Sequence, residues 1–462
     1  MKSESNMKTV AANHKNKLAQ IGGSNGKPKC VLAYSGGLDT SAIVIWLKEL
    51  GYEIHAILVD VGQDEDLEAL CDKALRCGAE TAVIRDAKPM MFDTVIPQAI
   101  GLSAVYEGTY RLGTALARPF IALEQIKRAK ELGGATLIHG ATGKGNDQIR
   151  FEFAYKTLAP ECPVLAPWKV WEFEGRKDLI AYLKSKGCED QFDETKDYSL
   201  DENFWHISVE GSELEDAKAD VEVGAVLDFV KDKFATGGSK NSPKSVAVEF
   251  DQGAVVAVDG VKQSLSDSVT QLNKQFRHAH WAWDLVIENR ATGVKSRGLY
   301  INPAAKLLQT AADALARCCL NKPAYDRYVS IAQDYATLLY KGEYFSMQRK
   351  VAEASAKPLL DCLTGKVTVT LDPVMYVSKI DAENSMFCKE TSTFEASEYS
   401  HADAGGFINL SWLANVGQSF ADESYLETDA SYENALETTG NAASELCENQ
   451  SVAGGGLVST AV

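Results

Sequence analysis

The segment Ser35-Gly-Gly-Leu-Asp-Thr-Ser41 has the residue types of an anion-binding loop. Its two glycines allow main-chain N–H groups to approach a phosphate closely, and its hydroxyl groups can donate to phosphate oxygens. It follows an apolar run and opens a helical pattern that ends at Gly51, so a helix N-terminus would face the same anion. The alternative is a glycine turn in which Asp39 or Thr40 caps that helix. No Gly-Lys-Ser/Thr follows, so this is not a Walker A loop.

A second glycine-rich segment runs from His139 to Arg150, also after an apolar run. Its closely spaced glycines leave main-chain amides free to contact a ligand. The segment also contains polar side chains that a simple turn does not need and that would suit a zwitterionic substrate. They are Thr142, Lys144, Asn146, Asp147 and Arg150. His139 and the later His206 have neither an acidic partner nor metal-ligand spacing, so we expect both to be structural.

The elements that position these loops follow from the pattern of apolar residues. Between Cys30 and about Gly187, short apolar runs alternate with longer helical patterns, which is typical of a parallel sheet covered by helices. Because each strand leads into a helix, the strand ends should converge on one edge of the sheet, where α/β folds bind ligands. After Gly187, hairpins are predicted over 246–258 and 366–378, with one helical stretch over 304–339 between them. This second pattern predicts an α+β domain.

Composition excludes several classes of protein. Hydrophobic residues make up 45% and charged residues 24%, which is typical of a globular protein, and no apolar run is long enough to span a membrane. Twelve of the seventeen excess negative charges follow Lys389, and the rest of the chain is near balance, so nucleic acid is a disfavoured partner. The ten cysteines are scattered, and residues 1–29 lack the apolar core of a secretory signal. We therefore expect a cytoplasmic protein.

Several motifs carry a resemblance to known families. The Ser35 to Ser41 loop resembles the pyrophosphate loop of the N-type ATP pyrophosphatases, which cut ATP between its α and β phosphates. Together with the His139 to Arg150 segment and further strings in family order, the chain resembles the argininosuccinate synthases from about residue 30 to 411. These strings are Tyr106 to Pro119, Leu165 to Trp168, Ser199 to Asn203, His206 to Ser208, Ile287 to Arg290 and Lys295 to Tyr300.

Pattern and resemblance together predict four regions. Residues 1–29 form a flexible extension, and residues 30–188 form an α/β nucleotide-binding domain of the adenine nucleotide α-hydrolase type. Residues 189–411 form an α+β synthetase and multimerisation domain. The C-terminal segment 412–462 is Ser/Thr/Glu/Gly-rich and is expected to be a largely disordered acidic tail.

The resemblance also implies an activity. The expected enzyme is a carbon–nitrogen ligase of arginine biosynthesis and the urea cycle, which joins citrulline to aspartate through citrullyl-AMP and releases AMP and pyrophosphate. ATP is a substrate and Mg²⁺ accompanies it without a protein cage. Neither nucleic acid nor a membrane is an expected partner, and the family assembles as a homotetramer. The alternatives are another pyrophosphate-loop adenylating enzyme, such as a tRNA-thiolating enzyme, and a non-catalytic regulatory homologue.

By the same resemblance, site residues can be named one by one. The ATP positions are Ala33, Tyr34, Ser35, Gly36, Gly37, Leu38, Asp39, Thr40, Ser41, Val59 and Gly140. The citrulline positions are Tyr110, Asn146, Arg150, Ser199, Ser208, Glu288 and Tyr300, and the aspartate positions are Thr142, Asn146 and Asp147. The predicted catalytic residues are Asp39, Lys144 and Arg150. Without the resemblance, Tyr110 is more simply a core residue, Ser199 a helix cap, and Glu288 an ion-pair partner.

Three stretches depart from the family pattern. Residues 278–284 carry two tryptophans where the family is usually glycine-rich, and residues 301–305 replace a usual Glu-Thr-Pro-Ala-Gly. The second departure is expected to alter the floor of the substrate pocket. The family's C-terminal helix is hard to find after Ser411.

Overall fold

The computed structural model describes residues 27–143, 145–188, 198–230, 243–372, 374–388 and 401–413. The chain divides into two units, Met1–Phe387 and Cys388–Val462. The predictions for Lys144, for most of the N-terminal extension and for the tail after Leu413 lie outside the described residues. So does the predicted boundary between the two domains, because residues 189–197 are among those left out.

The first sheet has five parallel strands in the order β3-β2-β1-β4-β5. Its central strand is buried on both faces at Cys30, Val31 and Leu32, as expected for a sheet covered by helices. The parallel α/β arrangement predicted from the sequence is therefore confirmed. The strands are β1 (Lys29–Ala33), β2 (Glu53–Asp60), β3 (Thr81–Asp86), β4 (Thr136–Ile138) and β5 (Val164–Leu165).

Within the described residues, seven α-helices accompany this sheet. They are α1 (Leu38–Glu49), α2 (Leu67–Cys77), α3 (Lys88–Asp93), α4 (Val95–Gly101), α5 (Gly113–Glu131), α6 (Asp147–Leu158) and α7 (Arg176–Ser185). The buried amide of Gln125 ties α5 to the sheet by donating to the main-chain oxygens of Val31 (3.1 Å) and Ile138 (2.9 Å). Helix α5 is therefore anchored across the two strands that lead into the glycine-rich loops.

The strand order creates a switch point between β1 and β4. The chain first moves outward from β1 through β2 to β3 and then returns to place β4 on the other side of β1. Connections from the two central strands leave in opposite directions there, which opens a crevice at the carboxyl edge. The Ser35 loop follows β1 and the His139 segment follows β4, so both glycine-rich segments meet at this crevice.

The second sheet is antiparallel, in the order β10-β11-β7-β6. Its strands are β6 (Ser199–Asn203), β7 (His206–Glu210), β10 (Trp283–Asn289) and β11 (Lys295–Ile301). The tight turn between β6 and β7 is held by Asn203, whose side-chain oxygen accepts the N–H groups of Trp205 and His206. The amide nitrogen of Asn203 donates to the carbonyl of Gly113, which joins this sheet to the start of α5.

The third sheet contains the predicted hairpins, in the order β13-β12-β8-β9. The alternating strands β8 (Ser245–Asp251) and β9 (Ala254–Val258) pair as predicted, as do β12 (Gly365–Thr370) and β13 (Tyr376–Ala382). Helix α8 (Val223–Phe229) packs on the second sheet. The later helices are α9 (Leu265–Phe276), α10 (Pro303–Cys319), α11 (Lys322–Tyr340) and α12 (Met347–Leu360).

The helical region predicted over 304–339 is confirmed, and it consists of two separate helices, α10 and α11. Asn321 lies between them, and its side chain accepts the N–H of Ala324 to cap the second helix. Pro323 in the first turn of α11 cannot continue a helix from the preceding residues. A cap and a proline therefore start a new helix within an otherwise helical pattern.

The second unit contains one described helix, α13 (His401–Leu413), which is strongly apolar. It lies almost entirely before Ser411, so the family's C-terminal helix expected after Ser411 falls mostly outside the described residues. No helix in the described part of the chain is both long and apolar enough to cross a membrane.

Candidate active site

A cavity of about 790 Å³ lies where the carboxyl edge of the first sheet faces the second sheet. It brings together almost all of the predicted site residues that the structure describes. Ser41 is the exception, because it is buried and its hydroxyl lies 3.2 Å from that of Tyr34. The predicted residues that line the cavity are Ala33, Tyr34, Ser35, Gly36, Gly37, Leu38, Asp39, Thr40, Val59, Tyr110, Gly140, Thr142, Asn146, Asp147, Arg150, Ser199, Ser208, Glu288 and Tyr300.

The loop after β1 is shaped to hold an anion. Gly36 has a positive φ of 72°, and a Cβ atom there would collide with the side chain of Leu70. The hydroxyls of Ser35 and Thr40 lie 3.2 Å apart, and Thr40 also donates to the carbonyl of Gly37. Gly37 provides no side-chain cap for α1, so the first N–H groups of the helix point into the cavity mouth without a side-chain acceptor.

Asp39 lies in the first turn of α1 and lines the cavity. The alternative that Asp39 or Thr40 caps α1 is wrong, because the N-cap residue is Gly37 and no side chain caps this helix. Burial raises the pKa of Asp39 to about 6, against the attraction of Arg176. A partly desolvated carboxylate beside a phosphate loop is suited to a cation that accompanies the phosphates.

The loop after β4 delivers three polar groups at the start of α6. The side-chain amide of Asn146 donates to the hydroxyl of Tyr340 (2.8 Å), and its oxygen accepts the N–H of Ala291 (2.8 Å). Arg150 donates from Nε to the carbonyl of Tyr340 (2.9 Å) and from Nη1 to Asp147 (3.0 Å). Asn146 and Arg150 are both buried, so their positions are fixed before any substrate binds.

Asp147 sits between two guanidinium groups. Arg118 donates to its Oδ2 and Arg150 to its Oδ1, and Arg118 also bonds to Asp201 from the second sheet. Burial alone would raise the pKa of Asp147, but Arg118 and then Arg150 outweigh it and hold that pKa below its usual range. For Asp201, burial dominates and raises the pKa. Arg118, which lies within the string Tyr106 to Pro119, therefore joins the start of α6 to strand β6 of the second sheet.

The wall opposite the glycine-rich loops comes from the second sheet and the turn before α5. Tyr110 and Tyr300 pack edge to face with their ring centres 5.1 Å apart. Glu288 is 5% exposed; one carboxylate oxygen lies 3.3 Å from the Ser296 hydroxyl, and the other is buried without a partner in the described residues. Because a buried acceptor without a partner is costly, Glu288 is ready to receive a donor from a ligand.

Two residues of this wall had an alternative structural interpretation. Tyr110 is a core residue that also lines the cavity, and its contact with citrulline stays a prediction. Ser199 does not cap a helix, because it begins strand β6. Tyr300 lines the cavity, whereas no residue of the departing stretch 301–305 is among the described residues that line it. Of the two tryptophans in the other departure, Trp281 packs on Phe276 with 5.4 Å between ring centres. Trp283 begins strand β10, and its indole N–H donates to the carbonyl of Arg277.

Both histidines have structural surroundings. His139 is fully buried and stacks on Phe151 with 5.3 Å between ring centres. The prediction that it has no acidic partner is wrong, because Glu152 lies 3.6 Å from its Nε2 atom. His206 is buried beside Thr114, whose hydroxyl lies 3.0 Å from Nε2 of the imidazole and donates to Asp201. Because the Thr114 proton points to Asp201, the imidazole must donate from Nε2. Burial, followed by repulsion from Arg118 and Arg150, lowers the pKa of His206 to about 3.

Sequence reasoning missed several residues of the cavity wall. Thr114 and Asp201 line it from strings that the resemblance already included, and Glu210 lies two residues after the string His206 to Ser208. Burial raises the pKa of Glu210 to about 7, with Arg290 opposing it and neighbouring carboxylates adding to it. Arg176 and Lys73 also line the phosphate end, and Lys73 donates to the carbonyl of Gly36 (2.6 Å). Nothing in the local pattern marked those two.

The described residues contain no group of three or more His, Cys, Asp or Glu side chains placed to hold a metal ion. Asp39 is nevertheless a hard oxygen donor at the mouth of the phosphate loop. Mg²⁺ usually takes one or two carboxylates and completes its shell with water and substrate phosphates. The residues present therefore fit an ion that arrives with a nucleotide.

Comparison with known proteins identifies the chain's family. Residues 29–189 match the family model described as "Arginosuccinate synthase N-terminal HUP domain", and residues 198–416 match "Arginosuccinate synthase C-terminal domain". An argininosuccinate synthase of Caldicellulosiruptor saccharolyticus is 38% identical over 83% of this chain and 94% of its own length. One of Shewanella sediminis is 40% identical over 84% of this chain and 96% of its own length.

The chain belongs to the argininosuccinate synthase family. Argininosuccinate synthases are ATP-using ligases that form a carbon–nitrogen bond, and the arrangement of two glycine-rich loops around one cavity is what such an enzyme needs. Among solved structures, an NH3-dependent NAD synthetase of Campylobacter jejuni covers 40% of this chain and 76% of its own, at 15% identity and a TM-score of 0.28.

Proposed function

We propose that the protein is an active argininosuccinate synthase that joins citrulline and aspartate at the expense of ATP. One observation carries the proposal. The anion-binding loop after β1 and the polar segment after β4 open into a single cavity, and Glu288, Ser208 and Tyr300 close its far side. A nucleotide and two amino acids can therefore meet in one enclosed space.

The first step activates citrulline. Its ureido oxygen attacks the α phosphorus of ATP, the bond to the bridging oxygen breaks, and pyrophosphate leaves with that electron pair. The free N–H groups at the start of α1 and the hydroxyls of Ser35 and Thr40 are placed to donate to the departing phosphates. Lys73 and Arg176 add positive charge at the same end of the cavity.

Mg²⁺ would be held by the phosphates together with Asp39, and it would neutralise charge on the leaving pyrophosphate. The protein's own part is to hold the two reactants in line. Positioning of this kind is worth up to about 7 to 11 kcal/mol when two bound molecules react. No nucleophilic side chain is required.

The citrulline backbone is proposed to lie between Arg150 and Glu288. Nε and Nη1 of Arg150 donate to Tyr340 and Asp147, so Nη2 can donate to a substrate carboxylate. The buried, unpartnered oxygen of Glu288 would accept from the substrate ammonium. Each end of a zwitterion then meets a group of opposite charge.

The second step forms the carbon–nitrogen bond. The amine of aspartate attacks the activated ureido carbon, and AMP departs with the former ureido oxygen. Because this amine is protonated at neutral pH, a base must first take one proton. Glu210 lines the cavity beside Arg290 (3.5 Å), and its pKa of about 7 suits a group that accepts a proton near neutrality. We assign it this role.

The wider setting is proposed on the family resemblance. We propose cytoplasmic location, consistent with free thiols at the described cysteines, and a homotetramer as the assembly. No feature of the cavity favours a tRNA-thiolating enzyme or a regulatory homologue.

The test is an assay of purified protein with ATP, Mg²⁺ and citrulline, with and without aspartate. Pyrophosphate should be released in a citrulline-dependent way, and AMP should accumulate only when aspartate is added. Release of pyrophosphate with tRNA and a sulfur donor, but never with citrulline, would contradict the proposal.

A further inference from the structure

Tyr340, the last residue of α11, holds both Asn146 and Arg150. Its hydroxyl accepts from the Asn146 amide (2.8 Å), and its main-chain carbonyl accepts from Nε of Arg150 (2.9 Å). The Arg150 guanidinium lies over the tyrosine ring, 5.1 Å from its centre. One residue therefore makes three contacts, two through its side chain and one through its main chain, with two residues that we assign to the amino-acid substrates.

Tyr340 is itself fixed from the opposite side. Tyr106 stacks against its ring with the centres 3.7 Å apart and the planes 9° from parallel. The hydroxyl of Tyr106 donates to the carbonyl of Asn289 (2.9 Å), next to the strand end that precedes Ala291. Since Ala291 donates to Asn146, the asparagine amide is held at both ends and has one orientation.

The turn that follows α11 also contacts the backbone of α6 at Arg150. Gly342 has a positive φ of 81°, and a Cβ atom there would lie 2.5 Å from Cα of Arg150. The chain after Tyr340 therefore packs directly on the backbone of α6. This close approach keeps the hydroxyl, the ring and the carbonyl of Tyr340 in reach of the α6 start.

We propose that Tyr340 is a positioning residue for the two amino-acid substrates. It is fully buried and is not among the residues that line the cavity, so it acts through Asn146 and Arg150. Within the described residues, Tyr340 makes no hydrogen bond or ring contact with the phosphate loop, Ser35 to Ser41. This inference rests on the proposed function, because it assigns Tyr340 a part in holding citrulline and aspartate but none in holding ATP.

The experiment compares Tyr340→Phe with Tyr335→Phe, using the assay described above. Tyr335 is a matched control on the same helix, since it is also fully buried and its hydroxyl bonds to Glu353 (3.0 Å) away from the cavity. Tyr340→Phe should raise the KM for citrulline and aspartate about three- to tenfold, the effect of one lost hydrogen bond. The KM for ATP and kcat should stay within twofold, because binding to ground and transition states weakens equally.

A second variant, Tyr340→Leu, removes the ring as well as the hydroxyl and should raise the citrulline KM further, since Arg150 then loses its aromatic support. Tyr335→Phe should lower the melting temperature to a similar degree as Tyr340→Phe and leave all three KM values unchanged. The inference is overturned if Tyr340→Phe leaves the amino-acid KM values unchanged, or if the KM for ATP rises equally. Wild-type protein that shows no citrulline-dependent release would instead mean that the proposed function itself has failed.

Discussion

Arg118 donates a hydrogen bond of 2.8 Å from its Nε to Oδ2 of Asp147. The donor lies on α5 and the acceptor is the first residue of α6, so this bond joins the two helices that bound the substrate end of the cavity. The same guanidinium bonds to Asp201 of the second sheet. A single arginine therefore bonds to two carboxylates from different elements and fixes where each one points.

Arg118→Lys should keep the fold and impair the use of aspartate. An ammonium retains the charge but cannot reach two carboxylates with the planar geometry of a guanidinium, so Asp147 loses its fixed orientation. We expect the KM for aspartate to rise at least tenfold by steady-state kinetics, with a smaller change for ATP. Arg85→Lys, which alters an exposed pair with Glu131, is the control and should change nothing beyond twofold. Equal behaviour of the two variants would refute the role of Arg118.

Asp39→Asn should separate activity from stability. Asp39 caps no helix and its burial disfavours the charged form, so the neutral amide should leave the melting temperature unchanged or higher. Citrulline-dependent pyrophosphate release should fall at least a hundredfold, because the phosphate end loses its carboxylate. Ser264→Ala is a control that should change stability but not activity, since Ser264 caps α9 and lies outside the cavity. It should cost about 1 kcal/mol of stability and leave the rate intact.

Glu210→Gln should slow only the second half-reaction. Exchange of labelled pyrophosphate into ATP with citrulline alone should continue at the wild-type rate, because adenylation needs no base at this position. Formation of AMP in the presence of aspartate should fall by about a hundredfold or more, the usual contribution of a general base. Glu249→Gln, on the exposed pair with Lys366, serves as control. If both half-reactions slow together, Glu210 has another role.

His206 should make stability depend on pH in a defined direction. Its pKa is about 3 in the folded protein and about 6.5 in an unfolded chain, so below pH 6.5 only the unfolded state takes up the proton. Stability is therefore present above pH 6.5 and is lost as the pH falls towards 3. Between pH 6.5 and 5 this amounts to roughly 2 kcal/mol.

Urea unfolding of the wild type and His206→Gln at pH 7, 6 and 5 measures that loss. Glutamine can still donate to Thr114 but does not titrate, so the variant should lose less stability over this range. Parallel losses in the two proteins would show that the imidazole is protonated in the folded state.

The sequence could predict what depends on neighbours along the chain. The phosphate loop follows β1 and opens α1 within a few residues, and the glycine-rich segment follows β4 in the same way. Because the strands are parallel, the two loops must lie at the same edge of the sheet, and no knowledge of long-range contacts is needed to predict this. The break between α10 and α11 was also readable, because Asn321 and Pro323 together indicate a new helix start.

Other parts of the site depend on contacts between residues far apart in sequence. Tyr340 is 194 residues from Asn146, and Arg118 is 83 residues from Asp201. Periodicity describes each element by itself and does not say which buried tyrosine meets which loop. Tyr335 and Tyr340 have the same burial, and their different partners emerge only when α11 packs against its neighbours.

In the proposed reaction, the ureido oxygen of citrulline attacks ATP and leaves with AMP. Turnover of citrulline labelled with ¹⁸O in the ureido group, followed by mass spectrometry of the products, tests this directly. One ¹⁸O atom should appear in the phosphate of each AMP and none in pyrophosphate. AMP without the label, formed while argininosuccinate accumulates, would contradict it.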